Sequence, residues 1–324
     1  MILSIFDDPR FDEHDPGPEH PEHPGRLRGA RAGLVGLTLR ARPVRLAAPE
    51  ELCLVHDPAH VEDVLRADGE TRLFDPDTVT SMGSVTAARC AAGAALDAAD
   101  LLLAGEPSFV LCRPPGHHAT RSRAMGFCLF NNAALAAERL RRAGRRVLVF
   151  DPDVHHGNGT EEIFYEEPDV LYVSCHRWPY YPGTGAATAT GRGAGLGATL
   201  NLPMPPGAGD GHAQAAVREL LLPALDRFRP DCCVLSAGYD ALAGDPLGDM
   251  RLSPRGLAAM WGVIVSRMPT LAVLEGGYSL ENLREGIAAT AAVLAGQPPP
   301  PMDAAAPPGW LDQLRARRHP LLRP

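Results

Sequence analysis

Asp151-Pro152-Asp153-Val154-His155-His156-Gly157-Asn158-Gly159 follows directly on the apolar run Arg146-Val147-Leu148-Val149-Phe150. That run reads as a buried parallel strand. Strand side chains alternate faces with a period of two, so Asp151, Asp153 and His155 project to one side where the strand runs out. Two carboxylates and an imidazole converging there would repel and desolvate one another without a cation between them. A divalent metal resolves the conflict, and mixed oxygen and nitrogen donors suit zinc with an open coordination position. The plainer alternative is a polar strand end with an aspartate cap leading into a helix.

Further short apolar runs lie at 108–112, 170–175, 199–202, 232–236 and 270–274, each ending in a polar or glycine-rich loop. Helical, mostly alanine-rich stretches fall between many of them, at 85–104, 132–143, 211–228 and 254–267. This alternation predicts an α/β protein with a central, mostly parallel sheet and helices on both faces. In such sheets ligands bind outside the carboxyl ends of the strands, which is where the charged and glycine-bearing motifs fall.

The chain has 324 residues, 45% apolar and 22% charged, the balance of a globular protein with a sizeable core. A net charge of −8 favours neither nucleic acid nor an anionic membrane and suits a cationic substrate. No run approaches the roughly 18 apolar residues of a membrane span, and the start lacks the basic and apolar regions of a signal peptide. The seven cysteines are scattered without a CxxC pair and read as reduced core residues of a cytoplasmic protein. Residues 1–296 read as one catalytic domain. Gln297-Pro298-Pro299-Pro300-Pro301 then opens a stiff linker and a tail, 297–324, laid on the surface and anchored by Trp310.

Five other stretches bear on chemistry. Arg113-Pro114-Pro115-Gly116-His117-His118-Ala119 sets two adjacent histidines just past a strand, where both can face a cleft. Ser236-Ala237-Gly238-Tyr239-Asp240 supplies a third carboxylate to a metal site, and Glu275-Gly276-Gly277-Tyr278 brings a phenol toward the same cleft or forms a plain turn. Tyr180-Tyr181-Pro182-Gly183 and Gly126-Phe127-Cys128 offer aromatic walls for a narrow slot. The glycines of 191–197 do not follow the GxGxxG pattern of a strand-to-helix turn and read as a loop into a strand.

Taken together these motifs resemble the histone deacetylase superfamily. The shared stretches include His20-Pro21-Glu22-His23-Pro24-Gly25-Arg26-Leu27, Gly126 to Asn132, Val173-Ser174-Cys175-His176-Arg177 and Gly244-Asp245-Pro246-Leu247-Gly248. Asn158, where class I members carry aspartate, looks like the class II and bacterial amidohydrolase branch. The resemblance implies the three-layer arginase/deacetylase fold, with about eight strands flanked by helices. It implies zinc on Asp153, His155 and Asp240, with His118 as general base and then acid, His117 as its electrostatic partner, and Tyr278 as donor to the scissile carbonyl. Asp151 and Asn158 would orient the imidazoles. The Gly126 carbonyl would hold the substrate amide, with Phe127 and Tyr181 flanking the stem. A structural potassium ion would lie near Asp151, Asp153, His155, Ser174 and Cys175.

Two positions depart from the usual family pattern: Pro152, tolerable only at a strand end or edge, and Cys175, where leucine is common. The resemblance implies hydrolysis of an acyl group from the ε-amine of lysine in proteins or peptides. An acetylated small amine, as in an acetylpolyamine deacetylase, is the alternative. Leu247, at a gatekeeper position where polyamine-preferring relatives carry a carboxylate, favours acyl-lysine. The acidic run Asp7, Asp8, Asp12, Glu13, Asp15, Glu19 and Glu22 offers a rim attractive to cations, and Asp75 and Asp77 could bind a substrate backbone there. A noncatalytic binder would lack at least one of these site residues, and a dimanganese ureohydrolase would want more bridging carboxylates. The partners expected are therefore small or peptidic acyl amines and no nucleic acid or membrane, with room left for a homo-oligomer.

Overall fold

In the computed structural model, which describes residues 2–316 and 319–322, eight strands form one sheet. They are β1 (Leu3–Phe6), β2 (Leu39–Arg42), β3 (Ser108–Val110), β4 (Val147–Asp151), β5 (Val170–Ser174), β6 (Thr199–Asn201), β7 (Cys232–Ala237) and β8 (Thr270–Leu274). The spatial order is β2-β1-β3-β8-β7-β4-β5-β6, and every neighbouring pair is parallel. Each of the six apolar runs singled out in the sequence became a strand. The strands from β3 to β8 are buried at every residue, as a parallel sheet covered on both faces requires.

The covering helices are α1 (Gly25–Ala32), α2 (Ser84–Leu103), α3 (Asn132–Arg142), α4 (Asn158–Phe164), α5 (Pro254–Val265) and α6 (Leu280–Leu294). Side-chain caps start three of them: Asn131 accepts from Ala134 N, Ser253 from Gly256 N and Ser279 from Asn282 N. Helices α2 and α3 pack on the central strands, and α5 lays Trp261 edge-on against Phe150 of β4. The helix expected over 211–228 is broken into Asp210–Ala216, a π turn at Val217–Leu221 and Leu222–Phe228. Pro223 has no N–H to donate, and it sits in the first turn of the last segment, where none is needed. The glycine stretch 191–197 is a turn leading into β6. In the tail, Trp310 is buried and donates Nε1 to the His212 carbonyl. Arg317, Arg318, Arg323 and Pro324 lie outside the described residues. No helix among the described residues is long and apolar enough to cross a membrane.

The topology places the chemistry. β3, β8, β7 and β4 are consecutive neighbours at the centre of the sheet. Their carboxyl ends lead respectively into His117-His118, Tyr278, Asp240 and Asp153–His155. Ladder pairing of β4 ends at Asp151, so Pro152 falls just past the strand and breaks no hydrogen bond.

Beneath these loops lies a fully buried ionic cluster. Glu22 accepts from Arg26 Nη1 at 2.8 Å, from Arg113 Nε at 2.6 Å and Nη2 at 2.7 Å, and pairs with His14 Nε2 at 3.2 Å. Arg26 also donates to the carbonyls of Gly277 and Glu275, and Arg113 to that of Phe11. Part of the acidic rim read from the sequence is therefore paired with arginines of the chain. Besides Glu22, Asp7 and Asp12 pair with Arg31 and Asp8 with Arg10.

Burial pushes the Glu22 carboxyl up, but Arg113, the His14 hydrogen bond and Arg26 outweigh it and hold the group well below its ordinary value. A depressed folded value means the unfolded chain binds more protons. The cluster's stabilisation is thus present above the unfolded carboxylate range, about pH 4.3, and is lost as pH falls further. Glu22→Gln should cost about 3–5 kcal/mol at neutral pH by leaving two buried guanidinium groups short of a counter-charge. Urea melts from pH 3 to 7 would check this: the gap between parent and variant should close toward acid.

Candidate active site

Asp153, His155 and Asp240 bring one donor atom each within 4.8 Å of one another. Both carboxylates are fully buried. Each is fixed from behind: Asp153 Oδ2 accepts from Gly276 N at 3.0 Å, and Asp240 Oδ1 accepts from Val154 N at 2.8 Å. His155 Nδ1 lies 3.2 Å from Asp153 Oδ1 and 3.2 Å from Asp240 Oδ2. Burial and the Asp153 charge push the Asp240 carboxyl up. Burial disfavours the charged form of His155, but hydrogen bonds to Asp153 and Asp240 outweigh it and raise its value. The donor chemistry fits a metal with two oxygens and one nitrogen.

Asp151 does not join these donors as simple strand alternation suggests. The ladder stops at Asp151, and the chain turns through Pro152, so the period of two does not carry past it. Its Oδ2 accepts from His117 Nδ1 at 3.0 Å and from the Tyr172 hydroxyl at 3.2 Å, as the family resemblance implies. Asn158, at the start of α4, accepts at Oδ1 from His118 Nδ1 at 2.8 Å. Its amide nitrogen points to Met125 Sδ at 3.5 Å, which sets the orientation of the carboxamide. His118 Nδ1 is therefore the protonated nitrogen, and Nε2 is left with a free lone pair. Burial, together with the neighbouring His117 and His155, pulls His118 well below its ordinary value. For His117 burial pulls down, but Asp151 and Asp153 outweigh it and raise the ring well above.

A pocket of about 290 Å³ opens over this centre, lined by Asp77, His118, Gly126, Phe127, His155, Tyr180, Tyr181, Pro246, Leu247 and Tyr278. The expected walls are in place: Phe127 stands edge-on to Tyr278 at 5.9 Å and Tyr181 edge-on to His118 at 5.1 Å. Tyr180, the other aromatic of the Tyr180–Gly183 stretch, stacks on His155 at 5.5 Å and donates to the Leu247 carbonyl. Gly126 and Phe127 both have left-handed backbones, φ 57° and 69°. That strained turn is held by Asp75, which accepts from Gly126 N, and by the Thr78 hydroxyl, which accepts from Phe127 N. Asp75 thus props the pocket wall, and Asp77 is the member of the pair that faces the pocket.

Burial pushes the Tyr278 phenol well above its ordinary value, although Arg26, 5.0 Å from the ring centroid, pulls the other way. The hydroxyl therefore stays protonated and available to donate. Three supports escaped the sequence reading. Asp245 accepts from Tyr278 N and Ser279 N; Glu275 accepts from Gly116 N and His117 N; Arg26 holds Gly277 and Glu275 by their carbonyls. Each sits inside a quoted motif, and its partner is distant in sequence. Burial pushes the Glu275 carboxyl up to about 7.

Two glycines leave the carboxylates room. A Cβ at Gly238 would stand 2.1 Å from Asp153 Oδ2, and one at Gly276 would stand 2.2 Å from Asp240 Oδ2. Gly238→Ala should displace Asp153 and weaken metal binding by about 10- to 100-fold, with the fold retained. Metal titration of the apo protein beside a thermal melt would separate the two effects.

Comparison with known proteins agrees with this geometry. Residues 20–294 match the histone deacetylase domain family. Histone deacetylase 15 of Arabidopsis thaliana is 41% identical over 298 residues, covering 86% of this chain and 53% of that protein. A probable deacetylase of Methanothermobacter thermautotrophicus is 41% identical over 292 residues, 87% of each chain. The human polyamine deacetylase HDAC10 is 38% identical over 308 residues, and this chain spans 45% of its length. The crystal structure of the HDA15 HD domain superposes with a TM-score of 0.91 at 36% identity, over 97% of this chain and 92% of that one. The chain belongs to the histone deacetylase family of amide-hydrolysing enzymes and has its three-layer arginase/deacetylase fold.

Proposed function

We propose that this protein is a zinc-dependent deacetylase that removes an acetyl or related acyl group from the ε-amine of lysine in proteins or peptides. One observation carries the reading: His155 of the metal-donor cluster, the His118 imidazole with a free Nε2 and the protonated Tyr278 phenol all line one narrow aromatic pocket. Asp153, His155 and Asp240 would hold the zinc, which when bound polarises a carbonyl and acidifies water. His118 takes the proton of the attacking water at Nε2 and returns it to the leaving amine. His117, held on Asp151, supports the developing negative charge, and Asn158 keeps His118 in the required tautomer. Tyr278 donates its hydroxyl to the carbonyl oxygen as that oxygen gains charge. The Gly126 carbonyl, which also receives the Cys128 thiol, takes the substrate N–H, and Phe127 and Tyr181 clasp the stem.

A potassium ion near Asp151, Asp153, His155, Ser174 and Cys175 belongs to the same reading. It is supported by the pairing of Asp151 with Ser174 across β4 and β5 and by the Cys175 N–H donating to the Asp151 carbonyl. Residues 1–296 would be the catalytic unit, and 297–324 a linker and tail. Six of the seven cysteines are buried thiols and Cys53 is exposed, a pattern that supports a reducing, cytoplasmic setting.

The second reading, an acetylpolyamine substrate, is favoured by Asp77, whose carboxylate lines the pocket where a distant ammonium would pass. Leu247, apolar and on the same pocket, favours an amide-capped lysine stem.

Acetate release from an acetyl-lysine peptide and from acetylputrescine, with zinc and after chelation, tests both. Metal-dependent turnover preferring the peptide is expected; comparable rates on the two would remove the preference, and no turnover of either would reject the activity. Tyr278→Phe should lose about 3–4 kcal/mol of transition-state stabilisation, read as kcat/KM, with zinc content unchanged.

A further inference from the structure

We propose that Glu275 is a positioning residue that fixes the backbone of the His117-His118 loop, an inference that rests on the proton-transfer role assigned to His118. The carboxylate is fully buried at the end of β8. Its Oε2 accepts from two successive N–H groups, Gly116 at 2.7 Å and His117 at 3.1 Å, and its Oε1 accepts from Ser236 Oγ of β7 at 3.0 Å. The opposite side of the same loop is held by α4, where Gly159 N and Thr160 N donate to the His117 carbonyl at 3.0 and 3.2 Å. The loop is thus clamped between a helix start and one carboxylate. It cannot slide, because a Cβ at Gly116 would already lie 2.5 Å from Asn132 N.

The position in the chain gives the clamp its significance. The next residue, Gly276, donates its N–H to the metal-site carboxylate Asp153, and three residues on stands Tyr278. Glu275 therefore ties together three arms that must act on a single amide: the imidazoles, the metal donors and the phenol. Asp151 and Asn158 set the rotation of the two rings from their Nδ1 sides, whereas Glu275 sets where the rings' backbone starts. Without the carboxylate the imidazoles could keep both Nδ1 partners and still stand displaced from Tyr278. In Glu275→Gln the carbonyl can still accept from Gly116 and His117, and the amide can donate to Ser236.

The test compares parent, Glu275→Ala and Glu275→Gln, each loaded with zinc, on an acetyl-lysine peptide, with hydrogen exchange followed for the segment 113–119. Glu275→Ala should lower kcat by about 100-fold, the scale of a misplacement of roughly 1 Å, with KM nearly unchanged. Exchange in 113–119 should quicken, and Glu275→Gln should restore both readouts. Should Glu275→Ala fail to fold, Ser236→Ala, which frees only Oε1, should give the same changes on a smaller scale. Parent-like kcat and exchange in the alanine variant would overturn the assignment. So would a glutamine variant as impaired as the alanine one, or a loss confined to KM. A parent protein with no turnover would count against the proposed activity, and the exchange comparison would still decide the clamp.

Discussion

The constraint on which this structure turns is the burial of two carboxylates at one point. Asp153 and Asp240 are both wholly excluded from solvent, and one imidazole touches both. In a medium of low polarity that arrangement is unfavourable unless a positive charge completes it. Much around it follows from this demand. Backbone N–H groups of Gly276 and Val154 hold Asp153 Oδ2 and Asp240 Oδ1, which leaves Asp153 Oδ1 and Asp240 Oδ2 turned toward His155 Nδ1. The neighbouring strands must approach closely enough to bring residues 153 and 240 together, which only side-chain-free positions at 238 and 276 permit. The central order β3-β8-β7-β4 is the simplest parallel arrangement that delivers all the groups to one end.

A second buried charge system supports the first without sharing its chemistry. Glu22, Arg26, Arg113 and His14 form a network that reaches the active loops through backbone carbonyls and through the Arg26 guanidinium over the Tyr278 ring. Arg26 grips the carbonyls on either side of Gly276, and Arg113 opens the segment that carries the histidines. The N-terminal segment, far from the catalytic motifs in sequence, therefore becomes the floor of the site. Four of its acidic residues, Asp7, Asp8, Asp12 and Glu22, pair with arginines of the chain.

How much of this was legible depends on the range of the interactions. The strands β3 to β8 were visible because burial on both faces forces a continuous apolar run, and their loops announced themselves by clustered aspartate, histidine and glycine. β2 was missed because Leu39–Arg42 lies on the open edge of the sheet and is mostly exposed, so no apolar pattern marks it. The break at 217–221 was missed because the helix-forming run Val217-Arg218-Glu219-Leu220-Leu221-Leu222 continues the pattern up to Pro223. Glu22 looked like part of a solvated acidic run, since one decisive partner, Arg113, is 91 residues away. Period-two reasoning brought Asp151 into the donor set and failed there because it assumes the strand continues. Pro152 marks the residue where it does not.

The two adjacent histidines show how neighbours identical in type acquire different chemistry. Both rings are buried, and they lie 4.1 Å apart between centroids, close enough that two positive charges would repel strongly. The asymmetry comes from what each Nδ1 meets. His117 meets Asp151, an anion, which favours its charged form; His118 meets Asn158, a neutral amide, which orients the ring and adds no negative charge. With His117 holding the proton, its charge further disfavours protonation of His118, so the lone pair that faces the pocket stays free. A carboxylate at 158 would fix the same tautomer but would raise the basicity of His118 and weaken that division. The asparagine therefore does more than mark a branch of the family: it assigns the resting proton to one ring and the free lone pair to the other.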